Sequence, residues 1–187
     1  MARVYLAGPD VFLPDAPDWL ERKKAICAGY GLTGVSPLDA LAQEPAAWAA
    51  LPEWRRIAFR NEAHIRSCAA VIANLTPFRG PSADAGTIYE VGFARGLGLR
   101  VFGYATVAQD FLDRTLAAFP GRQAEDGAWC DPDGLLVEQF GLFDNLMIEG
   151  ALAESGGLLR EEKDRWRDLT VFERCVEQAA RLVGPAI

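Results

Sequence analysis

Three side chains in this sequence are of a type to do nucleophilic and proton-transfer work on one substrate: Glu90, Asp84 and Tyr5. Glu90 lies in the run RGPSADAGTIYEVG. On a helix starting near Asp84, its neighbours one turn away are Gly86, Thr87, Phe93 and Ala94. A carboxylate in such a stripe of small and apolar residues is off any obvious solvent face. It is either tied to a polar neighbour or set for chemistry. Asp84 is suited to cap the same helix, whose first backbone N–H groups are exposed. It stands nearly two turns before Glu90, so both carboxylates can border one pocket. Paired carboxylates are what glycosidic chemistry uses: one attacks the anomeric carbon while another group manages the proton on the leaving group. Tyr5 lies on a strand, where it either packs in the core or presents a phenol that keeps the nucleophile ionised and oriented.

The loop leading to this helix, TPFRGPSADAGT, has breakers and small polar residues but no Gly-Lys-Ser/Thr and no GxGxxG. It is neither a Walker loop nor a dinucleotide fingerprint, and an ordinary capped loop has the same composition.

The elements that must hold these groups follow from hydrophobic patterning. Arg3–Ala7 is a short apolar run stopped by Gly8-Pro9, which predicts a central strand and a tight turn. A helix is expected from about Pro17 to Tyr30, a second strand over Leu32–Ser36, a helix over Glu53–Ser67 and a buried strand over Ala69–Leu75. Thr76–Ala83 reads as a loop, Asp84–Leu97 as a helix and Arg100–Tyr104 as a fourth strand. Further on, helices are expected over Val107–Phe119, Asn145–Ala153 and Val171–Leu182, with turns over Pro120–Gly134; the Pro- and Ala-rich stretch Leu38–Pro52 is left unassigned. Alternating strands and helices predict an α/β fold, a parallel sheet with helices on both faces, in a single domain over 1–187. Ligands of such folds sit at the carboxyl ends of the strands, where Gly8–Leu13, Pro37–Asp39 and Thr76–Gly86 would all open.

Composition narrows the partner. The chain has 187 residues, half of them hydrophobic, and a net charge of −7. Phosphate backbones are met with basic patches, so a nucleic-acid polymer is not expected, and a small, largely neutral molecule is. No apolar run approaches a membrane span, and MARVYLAGPDVF reads directly into strand and turn without a leader pattern; a cytoplasmic protein is expected. Cys27, Cys68, Cys130 and Cys175 are scattered, and His64 is the single histidine. Neither a metal site, a disulfide framework nor a His-based triad is indicated, which leaves acid–base work to carboxylates and tyrosines.

Taken together, VYLAGPDVF, PLD at Pro37–Asp39, VIANLTPFRGPSADAGTIYEVGFA and DNLMI at Asp144–Ile148 resemble the nucleoside 2-deoxyribosyltransferase family, in the family's order, from Arg3 to about Ile148. The resemblance implies a flavodoxin-like or Rossmann-like fold and exchange of bases between 2′-deoxyribonucleosides, through a deoxyribosyl ester and without metal or cofactor. It places Glu90 as nucleophile, Asp84 as the group that contacts and helps protonate the base, and Tyr5 as support for the nucleophile. Asn145 corresponds to an asparagine that reaches the 5′-hydroxyl in a neighbouring subunit's site, which implies a homo-oligomer. Phe78, Arg79 and Gly80 would shape the pocket, with Asp39 and Asn61 along it. Gly8, Pro9, Phe12, Ser82, Thr87 and Met147 complete the substrate-binding set. The sequence departs from the family pattern at Ala69, where an aspartate is common, and near Glu62, where some members carry a base-contacting Asp. The tail from about Leu152, with its charged run REEKDRWRD, lies outside the resemblance and reads as a solvated flank.

The expected reaction is a retaining double displacement on a 2′-deoxyribonucleoside with a free nucleobase as acceptor. An N-glycosidase, in which water attacks instead, and a non-catalytic nucleotide-binding sensor are the alternatives.

Overall fold

The computed structural model describes residues 1–183. In chain order the elements are β1 (Ala2–Ala7), α1 (Ala16–Gly29), β2 (Leu32–Val35), α2 (Glu53–Arg66), β3 (Ala70–Asn74), α3 (Ala85–Gly96), β4 (Arg100–Ala105), α4 (Phe111–Ala118), β5 (Arg122–Gln123), β6 (Trp129–Cys130), α5 (Leu146–Ala153), β7 (Leu158–Arg160) and α6 (Thr170–Val183). Five strands form one parallel sheet in the order β2-β1-β3-β4-β7, and β5 and β6 form a small antiparallel pair. This is the flavodoxin-like winding, with its switch point between β1 and β3. The α/β architecture expected from the sequence is therefore the one observed.

Period-two alternation sorts each strand's side chains between two cores. Tyr5 and Ala7 of β1 join Val71, Ala73, Val91 and Leu152 beneath α2, α3 and α5. Val4 and Leu6 join Ile72, Phe102, Phe172 and Val176 beneath α1 and α6. The helix α6 earns its place by pattern: Val171, Phe172, Cys175, Val176 and Ala179 make one buried stripe. Burying a side chain such as Phe172 contributes about 1.5–3 kcal/mol. All four cysteines are buried and free, and burial pushes the Cys27 thiol up to about 11 and the Cys175 thiol up to about 12. No helix among the described residues is long and apolar enough to cross a membrane.

The structure differs from the sequence expectation in four places, one of them the β5–β6 pair within the expected turns of Pro120–Gly134. The helix expected from Val107 starts only at Phe111. The chain bends at Thr106 and residues 107–110 are irregular, held where Thr106 N donates to Thr76 Oγ1 (3.1 Å) and Ala108 N to Glu162 Oε2 (3.1 Å). The unassigned stretch Leu38–Pro52 contains a short 3-10 turn, Ala46–Ala50. The tail supplies the helix expected over Val171–Leu182, as α6, and also the fifth strand of the sheet, β7, which the patterning did not show. Gly156 makes that approach possible, since a Cβ there would lie 1.9 Å from Phe102 Cδ1. The charged run is mostly exposed, as expected of a flank, yet Trp166 in its middle is half-buried against Phe78.

Candidate active site

A cavity of about 550 Å³ opens at the switch point, beyond the carboxyl end of β1. Its walls come from the β1–α1 turn (Gly8, Phe12), the β2–α2 turn (Pro37, Leu38), α2 (Arg56, Ile57, Arg60, Asn61) and the start of α3 (Asp84, Gly86, Thr87, Glu90). Gly8 is required at the first of these. Its φ of 150° is unfavourable for other residues, and a Cβ would lie 2.6 Å from Asp10 Oδ2 and 2.7 Å from Asn74 Cβ.

Asp84 caps α3, its Oδ2 accepting from Thr87 N (2.9 Å) and Thr87 Oγ1 (3.1 Å). That cap starts the helix so that Glu90 follows on the face turned toward β1. Glu90 is 9% exposed. The hydroxyl of Tyr5, itself fully buried, donates to Glu90 Oε1 at 2.7 Å, and Asn61 Nδ2 reaches the same oxygen at 3.4 Å. Among the described residues, no group donates to Glu90 Oε2. Burial raises the Glu90 carboxyl to about 7; the Tyr5 hydrogen bond opposes the rise, the Asp84 charge adds to it, and Asn61 opposes it weakly. Burial and the Glu90 charge hold the Tyr5 phenol protonated, so it stays a donor. Near neutral pH the site thus contains a carboxylate that exchanges a proton readily, oriented through one oxygen and free at the other.

The expected site residues do not all gather here. Gly8, Phe12, Asn61, Asp84, Thr87 and Glu90 line the cavity, with Tyr5 behind Glu90. Pro9, Phe78 and Arg79 line a neighbouring cavity across Phe12. Gly80 and Ser82 lie along neither; Ser82 Oγ instead donates to Asp144 Oδ1 at 2.6 Å. The Asp39 carboxylate turns back to close its own turn, accepting from Ser36 N (3.0 Å) and Ser36 Oγ (2.9 Å) and pairing with Lys24. Burial alone would raise it, but those bonds hold it below its ordinary value. His64 is structural too: its Nε2 meets the Asp39 carbonyl at 2.9 Å. Asn145 caps α5 through Met147 N (3.0 Å) and donates to Glu138 Oε1 (2.5 Å), away from its own chain's cavity. Met147 is 73% exposed beside an apolar groove between α3 and α5. Of the two departures, Ala69 is exposed with its N–H bonded to the Arg3 carbonyl, and Glu62 accepts from the Tyr89 hydroxyl at 2.6 Å.

Two groups escaped the sequence reading. The α2 wall carries Arg56 and Arg60, both paired with Glu44, and their spacing along a charged helix looks like an ordinary solvated face. Arg114 is a buried clamp. Its Nε donates to Pro81 O (2.7 Å) and its terminal nitrogens to the Gln109 and Phe143 carbonyls. With Asp144, which accepts from Ala83 N at 2.9 Å, it fixes the loop that delivers Asp84. No cluster of three or more His, Cys, Asp or Glu side chains suited to a metal ion occurs among the described residues.

The structure is a flavodoxin-like α/β protein with a cleft at its switch point bordered by a buried carboxylate. The family model described as nucleoside 2-deoxyribosyltransferase matches residues 4–147, and the chain belongs to that family. It is 32% identical over 173 residues to an uncharacterized protein of Schizosaccharomyces pombe, covering 83% of this chain and 79% of that protein. Its structure is similar to that of a 2-desoxiribosyltransferase from Leishmania mexicana, with a TM-score of 0.61 and 28% identity over 95% of this chain and 98% of the other. A conserved protein from Enterococcus faecalis V583 shares the fold, with a TM-score of 0.56 and 18% identity over 96% and 99% of the two chains.

Proposed function

We propose that this protein transfers 2-deoxyribose between nucleobases by a retaining double displacement on Glu90. The observation that carries this reading is the Tyr5–Glu90 hydrogen bond of 2.7 Å, which leaves Oε2 free among the described residues in a cavity that Asp84 also borders. Oε2 attacks C1′ of a 2′-deoxyribonucleoside. The bond from C1′ to the base nitrogen breaks, and the base leaves with the bonding electrons and a proton relayed from Asp84, directly or through water. A nitrogen of a second base then attacks C1′ from the vacated side and gives up its proton to Asp84, directly or through water, while the ester bond breaks and Glu90 returns as carboxylate. The absent 2′-oxygen eases the oxocarbenium-like transition state, and walls from Phe12, Ile57 and Gly86 suit an apolar ring system. In this reading the substrates are 2′-deoxyribonucleosides and free nucleobases. Asn145, at the N-terminal cap of α5 and close to the exposed Met147, in this reading completes the site of a neighbouring copy.

The decisive experiment supplies a 2′-deoxyribonucleoside with and without a second free base and separates the products by chromatography. A new nucleoside is the expected result. Free base and deoxyribose alone would make the protein an N-glycosidase, and no turnover would make it a binding protein.

A further inference from the structure

Across Phe12 from the Glu90 cleft lies a second cavity of about 330 Å³, near the lower end of small-molecule sites. Its composition is unlike the first. Phe78 stacks on Phe12 with centroids 5.2 Å apart and planes 13° apart, and meets Trp166 edge-on at 6.1 Å and 90°. The Phe78–Trp166 pair makes a right-angled corner, in which a planar ring lying flat on one presents its edge to the face of the other. Two guanidiniums, Arg79 and Arg165, stand on the same cavity. The Arg79 guanidinium lies 5.0 Å from the Phe12 centroid and 4.6 Å from that of Phe78. Among the described residues, neither Arg79 nor Arg165 has a carboxylate within ion-pair distance, although the chain carries a net charge of −7. Arg79 holds its place at φ 57°, and it is the non-glycine residue at positive φ among those described. Such a conformation is unfavourable for a residue with a Cβ and persists where the surroundings enforce it. Here the Phe78 N–H bond to the Ser82 carbonyl (3.0 Å) closes the turn around it. The corner also depends on the tail: Arg165 and Trp166 come from the charged run beyond the family match.

We propose that this second cavity binds an aromatic anion, with a nucleoside 5′-monophosphate as its type, the ring against Phe78 and Trp166 and the phosphate on Arg79 and Arg165. Aromatic corners recognise ring faces, and guanidiniums without carboxylate partners recognise phosphate oxygens. The site is distinct from the Glu90 cleft, and its existence does not rest on the reaction proposed there.

Calorimetric titration of the full chain with three probes tests it: a nucleoside 5′-monophosphate, inorganic phosphate and the neutral nucleoside. The monophosphate should bind at least roughly tenfold more tightly than phosphate alone. Arg165→Ala and Arg79→Asn should each weaken it by roughly tenfold or more, asparagine being chosen because it tolerates the positive φ. Trp166→Ala should weaken the monophosphate and leave inorganic phosphate unchanged. Ile57→Trp, which fills the Glu90 cleft from an exposed helix position, should leave monophosphate binding intact. Loss of binding in Ile57→Trp, affinity unmoved by the two arginine substitutions, equal affinity for phosphate and monophosphate, or no binding of the monophosphate would each overturn the proposal.

Discussion

Two buried carboxylates lie close to the turn after β1, Asp10 within it and Glu90 in the cleft that its Gly8 and Phe12 also line, and their surroundings could hardly differ more. Asp10, 3% exposed, accepts from Trp19 Nε1 at 2.9 Å, from Lys23 Nζ at 3.1 Å and from Asn74 Nδ2 at 3.3 Å. Lys23 is itself fully buried, bonded to the Tyr104 hydroxyl at 3.0 Å and set over the Phe172 ring at 4.6 Å. Among the described residues Glu90 has two neutral donors, both on one oxygen, and no cation paired with it. A buried carboxylate whose oxygens are all occupied and whose charge is matched is an anchor, and this one fixes the turn that carries Gly8 and Phe12. A buried carboxylate left half-occupied and uncompensated is costly to maintain, and that cost is what keeps it reactive.

Glu90→Ala should lower turnover by about 10³-fold or more and abolish any covalent sugar adduct seen by intact mass, because it removes the nucleophile. Retained turnover would end the assignment. Asp10→Ala strands the Lys23 ammonium in the core and should cost about 3–5 kcal/mol in denaturant unfolding. A loss under about 1 kcal/mol would mean that the anchor is dispensable. Glu90→Gln should act in the opposite sense. The folded carboxyl sits at about 7 against an ordinary 4.5, so the folded state binds the extra proton. The stability tied to that proton is complete below about pH 4.5 and is lost as pH rises through about 7. Gln, always neutral, should therefore stabilise the fold at pH 8 by on the order of 3 kcal/mol and by almost nothing at pH 4. A pH-independent difference would refute the account. The smallest effects are on the rate profile. The acid limb of kcat/KM should fall near pH 7, where Glu90 loses its charge. Tyr5→Phe should move that limb upward and Asp84→Asn downward, and an immobile limb in both variants would assign it to another group.

Both carboxylates were present in the sequence, but only one was legible there. Glu90 announced itself through its stripe of small neighbours and the long run around it, with Asp84 at the cap and Tyr5 on the first strand. Asp10 gave no such signal, because its partners Lys23, Asn74 and Tyr104 are spread along the chain and meet only once the sheet has formed. The same reason hid β7, three residues long and only half-buried, whose pairing with β4 depends on Gly156 lying flat against Phe102. Patterning finds elements that bury a whole face. It misses those that owe their place to a single contact. Asp39 shows the converse: the family resemblance places it along the pocket, while its carboxylate is taken up by two bonds from Ser36 within its own turn and by Lys24.

The clamp made by Arg114 has a consequence for redesign. Because that guanidinium and Asp144 grip main-chain atoms of Pro81 and Ala83, together with the Ser82 hydroxyl, the far end of the loop is shaped from outside itself. Libraries that vary Phe78, Arg79 and Gly80 while sparing the two gripping residues should keep Asp84 in register, so altered ligand preference can be sought without rebuilding the scaffold.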